Sequence, residues 1–179
     1  MNSNIQNILA EQEKLNSEGK YATIDHETGQ YLHDLIRGKH PKNVLEIGTS
    51  IGYSSIWIAS ALDTVSKLIC LDKWKERIEI AKSFFEKAKL NIDLIEGDAL
   101  ETIPGLKSKF DVVFIDAQKS DYLNYLKLLI ANKKLSKDCL IIADNTISHA
   151  DKMKDFLEFA NKHNAKTVNI GKGITIFKI

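Results

Sequence analysis

The chain has 179 residues, 44% hydrophobic and 27% charged, an ordinary balance for a folded domain and one that excludes a disordered or membrane-embedded chain. Its 25 Lys+Arg against 24 Asp+Glu leave a net charge of +1, so the basic footprint of a general nucleic-acid binder is absent. No apolar run approaches the roughly 18–20 residues that span a bilayer, and residues 1–20 are polar and mixed in charge, unlike a secretory leader; one core, no membrane association and a cytoplasmic setting are expected.

In chain order, helices are expected at 5–18, weakly amphipathic, and at 26–37, where Leu32, Leu35 and Ile36 share a face. From Asn43 onward short apolar runs alternate with helical periods. The runs are 44–47, 68–71, 92–95, 112–115 and 140–143; the helices are 54–62, 75–89, 122–130 and 152–163. Strands that are apolar almost throughout are buried on both faces, as in a parallel sheet covered by helices, and the alternation predicts a doubly wound α/β domain. At the end, 167–170 and 174–179 flank Gly171-Lys172-Gly173, a hairpin signal. Five parallel strands plus that hairpin make seven, the last antiparallel. Cys70 and Cys139 fall inside apolar runs and read as buried thiols of a reducing compartment. Only two prolines occur and no Gly/Ser-rich linker, so 1–179 reads as one domain, with helices over 1–40 and the sheet over 43–179.

The segment 44–55, Val-Leu-Glu-Ile-Gly-Thr-Ser-Ile-Gly-Tyr-Ser-Ser, is a buried strand, a turn and a helix start. Gly48 and Gly52 let the backbone turn sharply and admit a ligand near the main chain. Ser54 or Ser55 is expected to cap the helix, whose free N–H groups favour a ligand carboxylate. The spacing is not Gly-x-Gly-x-x-Gly, since Ser50 interrupts it, which argues against NAD. Asp72 ends the second strand, where a carboxylate can accept both ribose hydroxyls of an adenosine. Asp98, after the third strand, is a candidate for the adenine edge. Singly, each is also ordinary turn chemistry; in register on successive strand ends, they point to a nucleoside site.

Residues 21–179 resemble the cation-dependent O-methyltransferase family that includes catechol and caffeoyl-CoA O-methyltransferases. The resemblance rests on 44–54, Gly97-Asp98-Ala99, 110–119 (Phe-Asp-Val-Val-Phe-Ile-Asp-Ala-Gln-Lys) with Tyr122, Ala143-Asp144-Asn145 and the closing Ile170-Gly-Lys-Gly-Ile. It implies strand order 3-2-1-4-5-7-6 and S-adenosylmethionine as methyl donor. The implied cofactor contacts are Glu46, Gly48, Thr49, Ser50, Gly52, Ser54, Asp72, Lys73, Asp98, Ala99 and Asp116.

Asp116 ends the fourth strand, and Asp144 and Asn145 end the fifth. If those strands are neighbours, three oxygen-bearing side chains meet at the carboxyl edge. An all-oxygen set selects a hard cation, Mg²⁺ by default with Mn²⁺ or Ca²⁺ as substitutes, and in the resembling family these positions are the metal ligands. Lys119 matches that family's general base, so Lys119 and Asp116 are the catalytic candidates. The five histidines form no ligand pair, His149 being a weak exception through its nearness to Asn145; Trp57 reads as packing and Trp74 as a flank for adenine.

Two departures leave the acceptor open. The resembling proteins carry a longer helical region before the first strand, which shapes the acceptor pocket and often a dimer interface, so a homodimer stays an option. They also have an apolar-aromatic loop where this chain runs Thr146-Ile-Ser-His-Ala-Asp151. A small-molecule acceptor is the leading expectation. The alternatives are a hydroxylated tRNA base, for which Lys133, Lys134 and Lys137 form the one basic cluster, and a non-catalytic S-adenosylmethionine-binding module.

Overall fold

The computed structural model describes residues 2–179. Its sheet contains β1 (Asn43–Ile47), β2 (Lys67–Asp72), β3 (Ile92–Glu96), β4 (Phe110–Ile115), β5 (Leu135–Ala143), β6 (Lys166–Val168) and β7 (Ile174–Lys178). The spatial order is β3-β2-β1-β4-β5-β7-β6. The first five strands run parallel, while β7 is antiparallel to both β5 and β6. This is the doubly wound sheet expected, with its terminal hairpin.

Side chains alternate across the strands with period two, and the alternation sorts the core into two layers. Val44, Leu68, Cys70, Val112, Phe114 and Ile142 face one way, onto α1 (Ser3–Leu15), α2 (His26–Lys39), α3 (Tyr53–Ser60) and α4 (Lys75–Ala88). Leu45, Ile47, Leu71, Val113, Ile115 and Ile141 face the other, onto α5 (Ala99–Thr102), α6 (Tyr122–Ala131) and α7 (Lys154–Lys162). The modest periodicity of α1 is sufficient to bury Ile5, Ile8 and Leu9 against this core. Trp57 is buried, and Gly29 of α2 lets the helix lie directly on it: a Cβ there would sit 2.3 Å from the indole nitrogen.

Several boundaries differ from expectation. β5 begins at Leu135 because Leu135 pairs with Phe110, but residues 136–138 are polar and carry no apolar run. β6 covers only Lys166–Val168, and a 3₁₀ turn (Ala150–Lys152) precedes α7. The short helix α5 and the 3₁₀ turn Ile103–Gly105 were not foreseen. Among the described residues no helix is long and apolar enough to cross a membrane.

Candidate active site at the carboxyl edge of the sheet

The ladder of the central strands continues one step past their ends. Gly48 N–H donates to Leu71 O (2.9 Å), Asp116 N–H to Ile47 O (2.9 Å), Asp144 N–H to Ile115 O (3.0 Å) and Gly97 N–H to Asp72 O (2.9 Å). These bonds level the strand ends, so the candidates from β1, β2, β3, β4 and β5 meet along one edge. A cleft of about 260 Å³ lies there, lined among others by Gly48, Ser50, Asp72, Lys73, Asp98, Ala99, Asp116 and Lys119.

The glycines act differently from expectation. Gly48 (φ +95°) makes room for protein, since a Cβ there would meet the Asp116 carbonyl oxygen at 2.2 Å; at Gly52 (φ +83°) it would meet Phe85 of α4 at 2.5 Å. Their missing side chains therefore admit neighbouring chain rather than ligand. Ser54 and Ser55 do not cap α3 either. Gly52 stands at the N-cap with no side-chain bond, and both hydroxyls turn inward to Glu46. Thus Glu46, Thr49, Gly52 and Ser54 sit behind the cleft wall, whereas the other predicted cofactor residues lie on it.

Asp72 is 8% exposed and already holds the loop. Its Oδ2 accepts the N–H groups of Thr49 (3.1 Å) and Ser50 (2.7 Å), and Oδ1 accepts that of Trp74 (2.9 Å). Asp98 is similarly engaged: Oδ1 accepts Leu100 N–H at the start of α5, and Oδ2 pairs with Lys73 at 2.9 Å. That ion pair and the backbone bond hold Asp98 below the usual carboxylate range. Ser50 Oγ, by contrast, is buried on the cleft wall without a partner, and its residue adopts a left-handed φ of 50°. An orphaned hydroxyl beside exposed Trp74 and half-buried Arg77, whose guanidinium lies 5.7 Å from the indole ring, suits a ligand that joins a polar tail to a flat heterocycle. Arg77, Ala22, Gln118 and Tyr125 also line the cleft and were missed. Each comes from a loop or helix whose approach is set by tertiary packing.

Glu46 is fully buried, with Ser54 Oγ on Oε1 at 2.6 Å and Ser55 Oγ on Oε2. Burial dominates those hydrogen bonds and pushes its carboxyl up to about 7. A carboxyl raised in the folded state binds more protons there than in the unfolded chain, so stability falls as pH climbs from about 4.5 to about 7. Glu46→Gln should remove this slope. Thermal melts at pH 5 and pH 8 should lie closer together in the variant, the remaining difference coming from Asp144, which is raised over a similar interval, with a gain at pH 8 bounded at about 3 kcal/mol. An undiminished difference between the two pH values would assign the slope to other groups.

Asp116 and Lys119 line the other end of the cleft, and Asp144 and Asn145 are buried behind Asp116 without lining it. Asn145 (φ 64°) turns its amide between the carboxylates, and Nδ2 donates to Asp116 Oδ1 (2.7 Å) and Asp144 Oδ2 (2.9 Å). Lys119 Nζ donates to Asp116 Oδ1 (3.1 Å) and to Ala117 O (3.0 Å). Burial first, and then repulsion from Asp116, raise Asp144 well above the ordinary carboxylate range. Its Oδ1 is buried and unpartnered. Among the described residues no three His, Cys, Asp or Glu side chains gather; a third oxygen would have to come from the Asn145 amide, whose nitrogen and oxygen differ only by a half-turn. Two close carboxylates, an amide and an orphaned oxygen fit a hard divalent cation. Tyr122, fully buried, braces this corner by donating to Asp144 O at 3.3 Å. His149 bonds Ser148 Oγ through Nδ1 and does not line the cleft.

A sequence model of the family described as O-methyltransferase matches residues 2–174. The chain is 38% identical over 133 residues to caffeoyl-CoA O-methyltransferase 2 of Petunia hybrida, covering 70% of this chain and 54% of that protein. It is 33% identical over 148 residues to catechol O-methyltransferase of Niastella koreensis, covering 78% and 66%. The chain thus spans about half the length of the plant relatives it matches. The crystal structure of an O-methyltransferase from Bacillus cereus in complex with SAH superposes with a TM-score of 0.83 at 23% identity, covering 100% of this chain and 91% of that one, a likeness of fold. On sequence and architecture together, the chain belongs to the O-methyltransferase family.

Proposed function

We propose that residues 1–179 form one S-adenosylmethionine-dependent O-methyltransferase domain that uses a divalent cation to methylate a hydroxyl of a small catechol-like acceptor. The observation that carries this reading is that Lys119 and Asp116, at the end of a cleft whose other walls are the glycine turn, Asp72 and Asp98, join through hydrogen bonds to buried Asn145 and Asp144. The buried, unpaired thiols of Cys70 and Cys139 fit a reducing cytoplasm.

Each side chain then has a task. Asp72 receives the ribose hydroxyls at the rim of the loop it already organises, and Ser50 Oγ supplies a contact to the amino-acid tail of the donor. Trp74 and Arg77 flank the heterocycle. Asp116, Asp144 and Asn145 would hold the cation, Mg²⁺ or in its place Mn²⁺ or Ca²⁺, which when bound favours the ionised form of an acceptor hydroxyl. Asp116 Oδ1 now accepts the Lys119 ammonium, and engaging that oxygen elsewhere leaves Lys119 without its counter-ion. Lys119 would serve as the general base that takes the acceptor's hydroxyl proton at Nζ. When bound, the donor would supply a methyl group on a sulfonium sulfur that leaves as a neutral thioether once the methyl is transferred to the acceptor oxygen; the chain contributes alignment rather than covalent chemistry.

Titration calorimetry tests the cofactor. S-adenosylhomocysteine should bind and NAD should not, and Asp72→Ala should weaken binding by about 1.5–3 kcal/mol, the range for bonds to a charged group. Asp72 also holds three backbone N–H groups, so the melting temperature of the variant should also fall. Tight NAD binding with no response to S-adenosylhomocysteine would overturn the reading.

A further inference from the structure

The cofactor turn is held from a second direction, by an element the mechanism above does not use. Gln12 in the last turn of α1 is fully buried, and its Nε2 donates to the carbonyl of Ile51 within the turn at 2.8 Å, 39 residues away in sequence. Next to it, Glu13 accepts the hydroxyl of Tyr53, the first residue of α3, and the Nδ1 of His26, the first residue of α2 (2.9 Å). One helical turn further, Asn16 donates to Tyr21 O (3.0 Å) and Thr23 Oγ1 (2.9 Å) and accepts Tyr21 N–H (2.8 Å). These bonds shape the segment that brings Ala22 to the cleft. Gln12, Glu13 and the C-cap Asn16 at the end of α1 thus fix the glycine turn, the starts of two helices and the segment of Ala22 that lines the cleft.

Gln12 is an expensive choice if its purpose is packing. Its Oε1 is buried without a partner, and an amide satisfied at one end only is less favourable inside a protein than an apolar side chain of similar volume. What the amide supplies is direction: it fixes a carbonyl in the same turn whose Thr49 and Ser50 N–H groups Asp72 holds. A turn held at both its donors and its acceptor is preorganised, so binding does not have to order it. We propose that Gln12, supported by Glu13, is a positioning residue for cofactor binding. The inference rests on the assignment of the cleft to S-adenosylmethionine.

The test compares the full chain with Gln12→Met by calorimetric titration with S-adenosylhomocysteine, well below the melting temperature. The variant should bind at least tenfold more weakly while melting within a few degrees of the parent. In turnover, KM for the donor should rise, with acceptor KM and kcat at saturating donor unchanged. Ile8→Val, a smaller side chain on the same buried face of α1 with no bond to the turn, should melt lower and bind normally. Equal affinity in Gln12→Met and parent would overturn the inference, as would an equal loss in Ile8→Val. If Gln12→Met does not fold, Glu13→Gln decides: a severalfold loss of affinity at the parent's melting temperature supports the positioning role, and none overturns it. A parent chain that ignores S-adenosylhomocysteine would overturn the cofactor assignment and this inference together.

Discussion

Asp144→Ala is expected to abolish methyl transfer to a vicinal-diol phenol while S-adenosylhomocysteine affinity stays within a fewfold of the parent. Asp144 supplies, among the described residues, the one buried carboxylate oxygen without a partner, and unlike Asp116 it does not line the cleft. A cation's stabilisation of developing negative charge is worth several kcal/mol, roughly a thousandfold or more in rate. EDTA should reproduce the loss in the parent chain, and Mg²⁺ should reverse it. Asp116→Ala should damage turnover and cofactor affinity together, because that carboxylate lies on the shared wall. The fold should tolerate Asp144→Ala, since it removes a buried charge that Asp116 repels. Full activity in the presence of EDTA would remove the cation from the mechanism.

Lys119→Ala should lower kcat by roughly 10²–10⁴-fold, the usual contribution of a positioned general base. The side chain is 22% exposed and held between Asp116 Oδ1 and the Ala117 carbonyl, so it is in place before any acceptor arrives. Cofactor binding and cation stoichiometry should persist in the variant. Raising the pH should recover part of the rate, because the acceptor then ionises without help; the parent should gain less over the same interval. A variant with unchanged kcat would leave deprotonation to the cation alone, and Lys119 would be a counter-ion to Asp116.

The fold was legible wherever burial on both faces wrote itself as an apolar run. β1, β2 and β4 and the helices α2, α4 and α6 lie within two residues of their expected bounds. The polar half of β5 was not legible, because residues 136–138 lie in the irregularity between the Phe110–Leu135 and Val112–Leu140 pairs and bury no apolar side chain. That Asp72, Asp116 and Asp144 meet along one edge could be read off strand ends, since a parallel sheet brings its carboxyl ends to one edge whatever the loops do. Glu46 could not be read correctly in the same way. It lies inside β1, where period-two alternation turns its carboxylate toward the α3 serines. Nor could Gln12, a polar residue in a weakly amphipathic helix, whose partner is fixed only when α1 packs across α3.

The two tryptophans divide the molecule optically. Trp57 is 2% exposed beneath Gly29, whereas Trp74 is 56% exposed and lines the cleft. With no other indole in the chain, emission should be the sum of a blue, shielded component and a red, quenchable one. Acrylamide should extinguish the red component first. A ligand seated against the adenosine wall should shift or quench that component alone, leaving the shielded one as an internal standard for the integrity of the helical layer. Trp57→Phe would then leave a single emitter that follows occupancy of the cleft in real time, without any attached dye.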